Sequence, residues 1–190
     1  MDSKKIAFVA IMASLGNILF LLSSHVVPLA HGIAFDLSLV TTFIAALFGG
    51  PLVGLVTGLF VGLMPGIYFG PLGMGSWLGL IGLPIGKGLT GLTCGILSRK
   101  LDLHGSSHGS LLTIPLVLIS YIPECLFTVV YFLSLMPYFF GQGGVGVLFF
   151  IIPKAWIEIV LMSFLMAALV GNQGFIGFVQ RFFTIPKSQG

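Results

Sequence analysis

Charge is what this chain has least of. Lys, Arg, Asp and Glu make up 7% of its 190 residues, against about a quarter in an ordinary soluble domain. With 57% hydrophobic residues and a mean hydropathy of +1.15, that scarcity excludes a water-soluble domain and marks an integral membrane protein. The net charge of +3 comes from eight basic residues spread along the chain. They make no basic patch, so nucleic acid is excluded as a partner. Cysteine is scarce as well: Cys94 and Cys125 lie in apolar segments and read as small buried side chains, not as a disulfide or a metal pair. No P-loop, HExxH or GxSxG motif occurs. The chain is therefore not expected to hydrolyse nucleotide itself, and no nucleophile–base or metal constellation suggests an enzyme or a cofactor.

Long apolar runs are what it does have. At roughly 20 residues per span there is room for about six transmembrane helices and no further soluble domain, so residues 1–190 are expected to form one all-α membrane domain. The spans fall at about 6–22, 37–48, 51–63, 77–97, 111–135 and 147–170. The second covers only some 18 Å of a roughly 30 Å hydrocarbon core, so it is either extended at its start or tilted and partly buried. Ser23 to Phe35, with His25, Pro28, His31 and Gly32, reads as a first loop closed by Asp36. Met64 to Ser76 and Met136 to Gly146 read as irregular, apolar, glycine-rich loops, which at membrane depth must be buried against protein or line a cavity. The connector Leu101–Ser110 carries Asp102, His104 and His108; the two histidines sit four apart among Gly and Ser and are read as solvated.

Glycine gives the sharpest packing signal. From Gly50 it recurs at 54, 58, 62 and 66, every fourth residue and so along one slowly drifting face of a helix. Small faces of this kind let helix backbones approach closely in lipid, where hydrophobic drive between helices is weak.

Orientation follows from the basic residues. Lys4, Lys5, Arg99, Lys100, Arg181 and Lys187 all fall on the side shared by the amino terminus, the connector after the fourth span and the tail, while the opposite loops have no Lys or Arg. The positive-inside rule then places both termini in the cytoplasm. Four ionisable residues remain inside spans: Lys87, Glu124, Lys154 and Glu158. Each costs about 2.5 to 3.5 kcal/mol at mid-depth on insertion scales and should face the bundle interior. They serve either as two internal ion pairs, Lys154 and Glu158 being one helical turn apart, or as a polar ligand or ion site; the two roles are compatible.

Three stretches together resemble a known family. They are Lys4-Lys5 leading into a first helix rich in alanine (Ala7, Ala10, Ala13, Ser14), Phe35-Asp36-Leu37-Ser38 before the second helix, and Gly49-Gly50-Pro51-Leu52-Val53-Gly54 opening the third. The chain resembles the substrate-binding S components of energy-coupling factor transporters over essentially its whole length. That resemblance implies a multi-pass subunit of the cell membrane that binds a vitamin or other micronutrient in its outer half. Uptake would be driven by a separate transmembrane coupling protein and two cytosolic ATPases. It further implies docking through an AxxxA face on the first helix; here Ala10/Ser14 is the nearest match, with Ala13 on the same face. Lid loops would be Ser23 to Asp36 and Met64 to Ser76, bringing His31, Tyr68 and Trp77 to the ligand. The expected substrate-binding residues are Asp36, Lys87, Glu124, Lys154, Trp156 and Glu158. The alternative is a stand-alone proton- or cation-coupled carrier using Glu124 and Glu158.

Overall fold

The computed structural model describes residues 1–26, 36–73, 75–101, 103, 109–141 and 144–181. His31, Pro28, Gly32, Asp102, His104, His108 and Lys187 lie outside the described residues. Every regular element among those described is helical: α1 (Ser3–Val26), α2 (Leu39–Gly49), α3 (Pro51–Val61), α4 (Leu63–Phe69), α5 (Ser76–Lys100), α6 (Gly109–Val130), a π-helical turn (Tyr131–Leu135), α7 (Met136–Phe140), α8 (Val145–Gly171) and α9 (Gln173–Gln180). Among the described residues, five stretches are long and apolar enough to cross a membrane: Ser3–His25, Pro51–Phe69, Ser76–Lys100, Gly109–Phe140 and Val145–Gly171. Their outward faces are apolar, as lipid demands; on α8, Phe149 is 77% exposed and Ile157 62%.

Three expected loops are partly helical. Ser23, Ser24 and His25 belong to α1, because each bonds back onto its own helix: the Ser23 hydroxyl donates to the Phe20 carbonyl at 3.1 Å, Ser24 to Leu21 at 3.0 Å, and His25 Nδ1 lies 2.7 Å from the same carbonyl. Polar side chains satisfied in this way cost the helix little. The Met64 to Ser76 loop begins as α4, which continues α3 after a break at Gly62. Pro65 falls in its first turn, where no N–H is needed. The break itself is made by Asn17 of α1, which donates to the Phe60 carbonyl at 3.0 Å and accepts from the Met64 N–H at 3.1 Å. Those two backbone groups would be each other's partners in an uninterrupted helix, so a side chain has inserted into the ladder. The Met136 to Gly146 loop likewise starts as α7, reached through the π-helical turn directly ahead of Pro137. Gly141, at φ +66°, ends it in the left-handed conformation that glycine adopts without strain.

The stretch expected as the second span is a short helix, not one of those five. α2 has 11 residues and rises only about 16 Å. It is buried almost all round, Thr41 and Thr42 included, as befits a predominantly apolar helix at the centre of a bundle. It turns into α3 through Gly50, at φ +86°.

α3 and α5 run antiparallel with their backbones in contact. A methyl group added at Gly54 would strike the Gly91 carbonyl, at Gly58 the Lys87 carbonyl and at Gly62 the Cα of Pro84. α5 answers with its own glycines: Gly91 meets the Gly54 carbonyl and Gly95 meets Pro51. The two ends of the bundle are thereby distinguished. At one, the Arg99 guanidinium lies over the Gly50 turn, the Ser98 hydroxyl donates to the Leu47 carbonyl at 3.3 Å, and α9 packs Phe175 edge-on to Phe48. At the other end are the start of α2, the end of α4, the start of α5, α7 and the start of α8.

Gly58→Val should push α5 off α3 and lower stability by about 1–3 kcal/mol or more, the usual cost of overpacking. Gly146→Ala, where nothing lies within 4 Å, should leave it unchanged or slightly raised. Apparent melting temperatures of the two detergent-purified variants check this, and equal values would count against the glycine contact.

Candidate functional site

The helices converge on one cavity of about 530 Å³. Its walls come from the beginning of α2 (Asp36, Leu39), the end of α4 and the turn after it (Tyr68, Phe69, Leu72), the first half of α5, the second half of α6 with the π-helical turn, and the first half of α8. It therefore occupies the half of the bundle away from the Gly50 turn and Arg99.

All four intramembrane charges line it, together with Asp36. Lys87 is 2% exposed and Glu158 5%. Each is held by named partners. Lys87 Nζ pairs with Asp36 Oδ2 at 2.7 Å and donates to the Ser38 hydroxyl at 2.9 Å. Asp36 Oδ1 accepts from the Ser38 N–H at 2.8 Å, which orders the start of α2. On α8, Lys154 pairs with Glu158 at 3.0 Å, as their spacing of four predicts. Glu158 Oε1 also accepts from the Asp36 backbone N–H at 2.7 Å. Lys154, Glu158, Asp36, Lys87 and Ser38 thus form one network spanning α8, the start of α2 and α5. Glu124 stands apart: its carboxylate accepts from the Thr90 hydroxyl.

The remaining expected residues divide. Tyr68 lines the cavity from α4. Trp156 does not; its ring stands edge-on to Tyr121 at 5.5 Å and backs that lining residue from behind. Trp77 is 47% exposed at the outer edge of α5, against Phe139 at 5.2 Å. Ala10, Ala13 and Ser14 come together in a separate hollow between α1 and α3, with Asn17 and Phe60. Ala10 and Ser14 are exposed there and Ala13 is buried. Cys94 and Cys125 are both free thiols. Among the described residues, no three His, Cys, Asp or Glu side chains are grouped to hold a metal.

Sequence reasoning passed over Ser38, Thr90, Tyr121 and Tyr131. The last two were detectable, since Tyr121, Glu124, Phe127 and Tyr131 recur at helical spacing on one face of α6. Tyr131 opens the π-helical turn, presses on Gly82 of α5 and directs its hydroxyl toward the Gly75 carbonyl at 3.4 Å. Turns of this type gather at functional sites. The arrangement gives a pocket of ligand size with a charged, hydrogen-bonding floor and an aromatic upper wall. It can hold a polar organic molecule in a water-poor setting.

Comparison with protein-family models, with curated proteins and with solved structures finds no match to this chain. The functional reading therefore stands on the residues and their geometry.

Lys87→Met should strand the Asp36 carboxylate and cost about 3–5 kcal/mol. Pairing it with Asp36→Asn should recover much of that loss, because no charge is then left uncompensated. Thermal unfolding of the two variants in detergent measures both, and a double variant no more stable than Lys87→Met would contradict the pairing.

Proposed function

We propose that this chain is the substrate-binding membrane subunit of an uptake transporter of the energy-coupling factor kind, taking a vitamin or other small micronutrient. The observation that carries the reading is the placement of every intramembrane charge on one cavity in one half of the bundle. A bundle built only for rigidity has no reason to enclose an open volume beside its ion pairs, whereas a binding subunit needs both. In this reading the chain has six spans, α2 being the short one, and lies in the cell membrane with both termini in the cytoplasm. The gathering of Arg99, Lys100 and α9 at the end opposite the cavity supports that orientation by the positive-inside rule, and makes the cavity open toward the outside. The small-residue hollow on α1 supports docking of a transmembrane coupling protein, with two cytosolic ATPases supplying the energy.

A stand-alone carrier is the second reading, favoured by Glu124, whose carboxylate has no lysine in ion-pair contact among the described residues. Proteoliposomes containing this chain alone separate the two. A carrier accumulates substrate down an ion gradient, while a binding subunit only binds it.

Docking is tested at the exposed members of the hollow, because Ala13 is too buried for a clean substitution. Ala10→Phe with Ser14→Phe should abolish uptake and co-purification of the coupling protein. Small molecules retained by the purified subunit, measured by mass spectrometry, should be unchanged. Continued co-purification and uptake in that variant would remove the docking surface.

A further inference from the structure

The cavity carries three carboxylates, Asp36, Glu124 and Glu158, and two ammonium groups, Lys87 and Lys154. Both lysines are committed, Lys87 to Asp36 at 2.7 Å and Lys154 to Glu158 at 3.0 Å. An anionic ligand would meet two cations whose charge is already balanced by a carboxylate, so neither offers it an uncompensated positive charge. Glu124 is in the opposite position. Its one hydrogen-bond partner among the described residues is the Thr90 hydroxyl, and no lysine lies within ion-pair distance. It projects from α6 toward Gly86, where a methyl group would sit 3.2 Å from its Cγ, and both residues line the cavity. Lys87 and Lys154 act on it from beyond ion-pair distance and are already balanced by Asp36 and Glu158. A buried carboxylate without a direct ionic partner is costly, and a cation brought to it offsets that cost.

The rest of the wall limits what can bring the charge. Tyr68, Phe69, Tyr121, Phe127, Tyr131 and Phe132 line the same volume. Aromatic faces attract organic cations and stack on flat rings. A cavity of about 530 Å³ is the size used for organic ligands, not for a bare ion.

We propose that the ligand of this cavity is an aromatic or heteroaromatic molecule that presents a positively charged nitrogen to Glu124, its ring lying against the tyrosine and phenylalanine wall. This rests on the cavity being the substrate site, as proposed above.

Three probes with one ring system and different charge test it: tryptamine (a cation), 2-(indol-3-yl)ethanol (neutral) and indole-3-acetate (an anion), titrated near neutral pH onto the detergent-purified chain by calorimetry. Tryptamine should bind roughly tenfold or more tighter than the alcohol, with the acetate weakest. In Glu124→Gln, which keeps an acceptor for Thr90, the preference for tryptamine should vanish while the alcohol binds within about twofold of before. Glu124→Asp, which keeps the charge, should retain the order, and serves if the glutamine variant does not fold. The proposal is overturned by an acetate that binds as tightly as tryptamine, by a tryptamine affinity untouched in Glu124→Gln, or by no binding of any probe at about 1 mM. Ala155→Trp, which fills the cavity from α8, tests the underlying site separately. If it removes all probe binding while the charge order is flat or reversed, the cationic class alone fails. If it leaves binding intact, the site is elsewhere and the cavity reading fails with it.

Discussion

The backbone-to-backbone contact between α3 and α5 is the constraint on which the rest of this bundle depends. Gly54, Gly58 and Gly62 present no side chains, so the α5 backbone comes close enough for the Lys87 carbonyl to meet Gly58. Because α3 is tied to α2 through the Gly50 turn, that contact also sets where the Lys87 ammonium falls relative to the start of α2. The 2.7 Å pair with Asp36 is therefore a consequence of packing. In lipid such close packing supplies the attraction that hydrophobic burial supplies in water. The other side of α5 uses glycine differently. Gly82 and Gly86 leave room for Tyr131 and Glu124, so one helix forms a tight seam on one face and the wall of a cavity on another.

Much of this was written locally in the chain. Long apolar runs announce the membrane helices, the four-residue glycine period announces the α3–α5 seam, and the spacing of Lys154 and Glu158 announces their pair. What local pattern could not convey was distance in sequence. Asp36 and Lys87 are 51 residues apart, and Asp36 and Glu158 are 122 apart, so only the assembled bundle reveals Asp36 as the centre of the charge network. Loop boundaries were misjudged for a related reason. Pro65-Gly66 and Ser23-Ser24 are breaker signals in water, but in an apolar setting a helix is the cheapest way to satisfy the backbone, and it persists wherever first-turn proline or back-bonding serine permits. The converse holds at Asn17, a single amide in an apolar helix whose local pattern gives no sign that it interrupts the neighbouring one.

The site follows the same division. The intramembrane charges could be picked out by their rarity alone, because nothing else in an apolar span asks for a lysine or a glutamate. Which of them pair, and which one is left over, depends on how four helices are rotated about their axes. That rotation is set by the glycine seam and by the π-helical turn, neither of which resides in the charged residues themselves.

The brevity of α2 bears on how the chain enters the membrane. Eleven residues rising about 16 Å are a weak insertion signal by themselves, and Asp36 just ahead of them carries a cost of about 2.5–3.5 kcal/mol at mid-depth. The tight Gly50 turn joins α2 directly to α3, which with α4 makes the longer apolar stretch that α2 is too short to form. Asp36 finds its lysine 51 residues and its glutamate 122 residues further along the chain. The partners of Asp36 in the amino-terminal third, the Lys87 ammonium and the Glu158 carboxylate that accepts from its backbone N–H, both come from later helices, so its arrangement is completed only when α5 and α8 are in place.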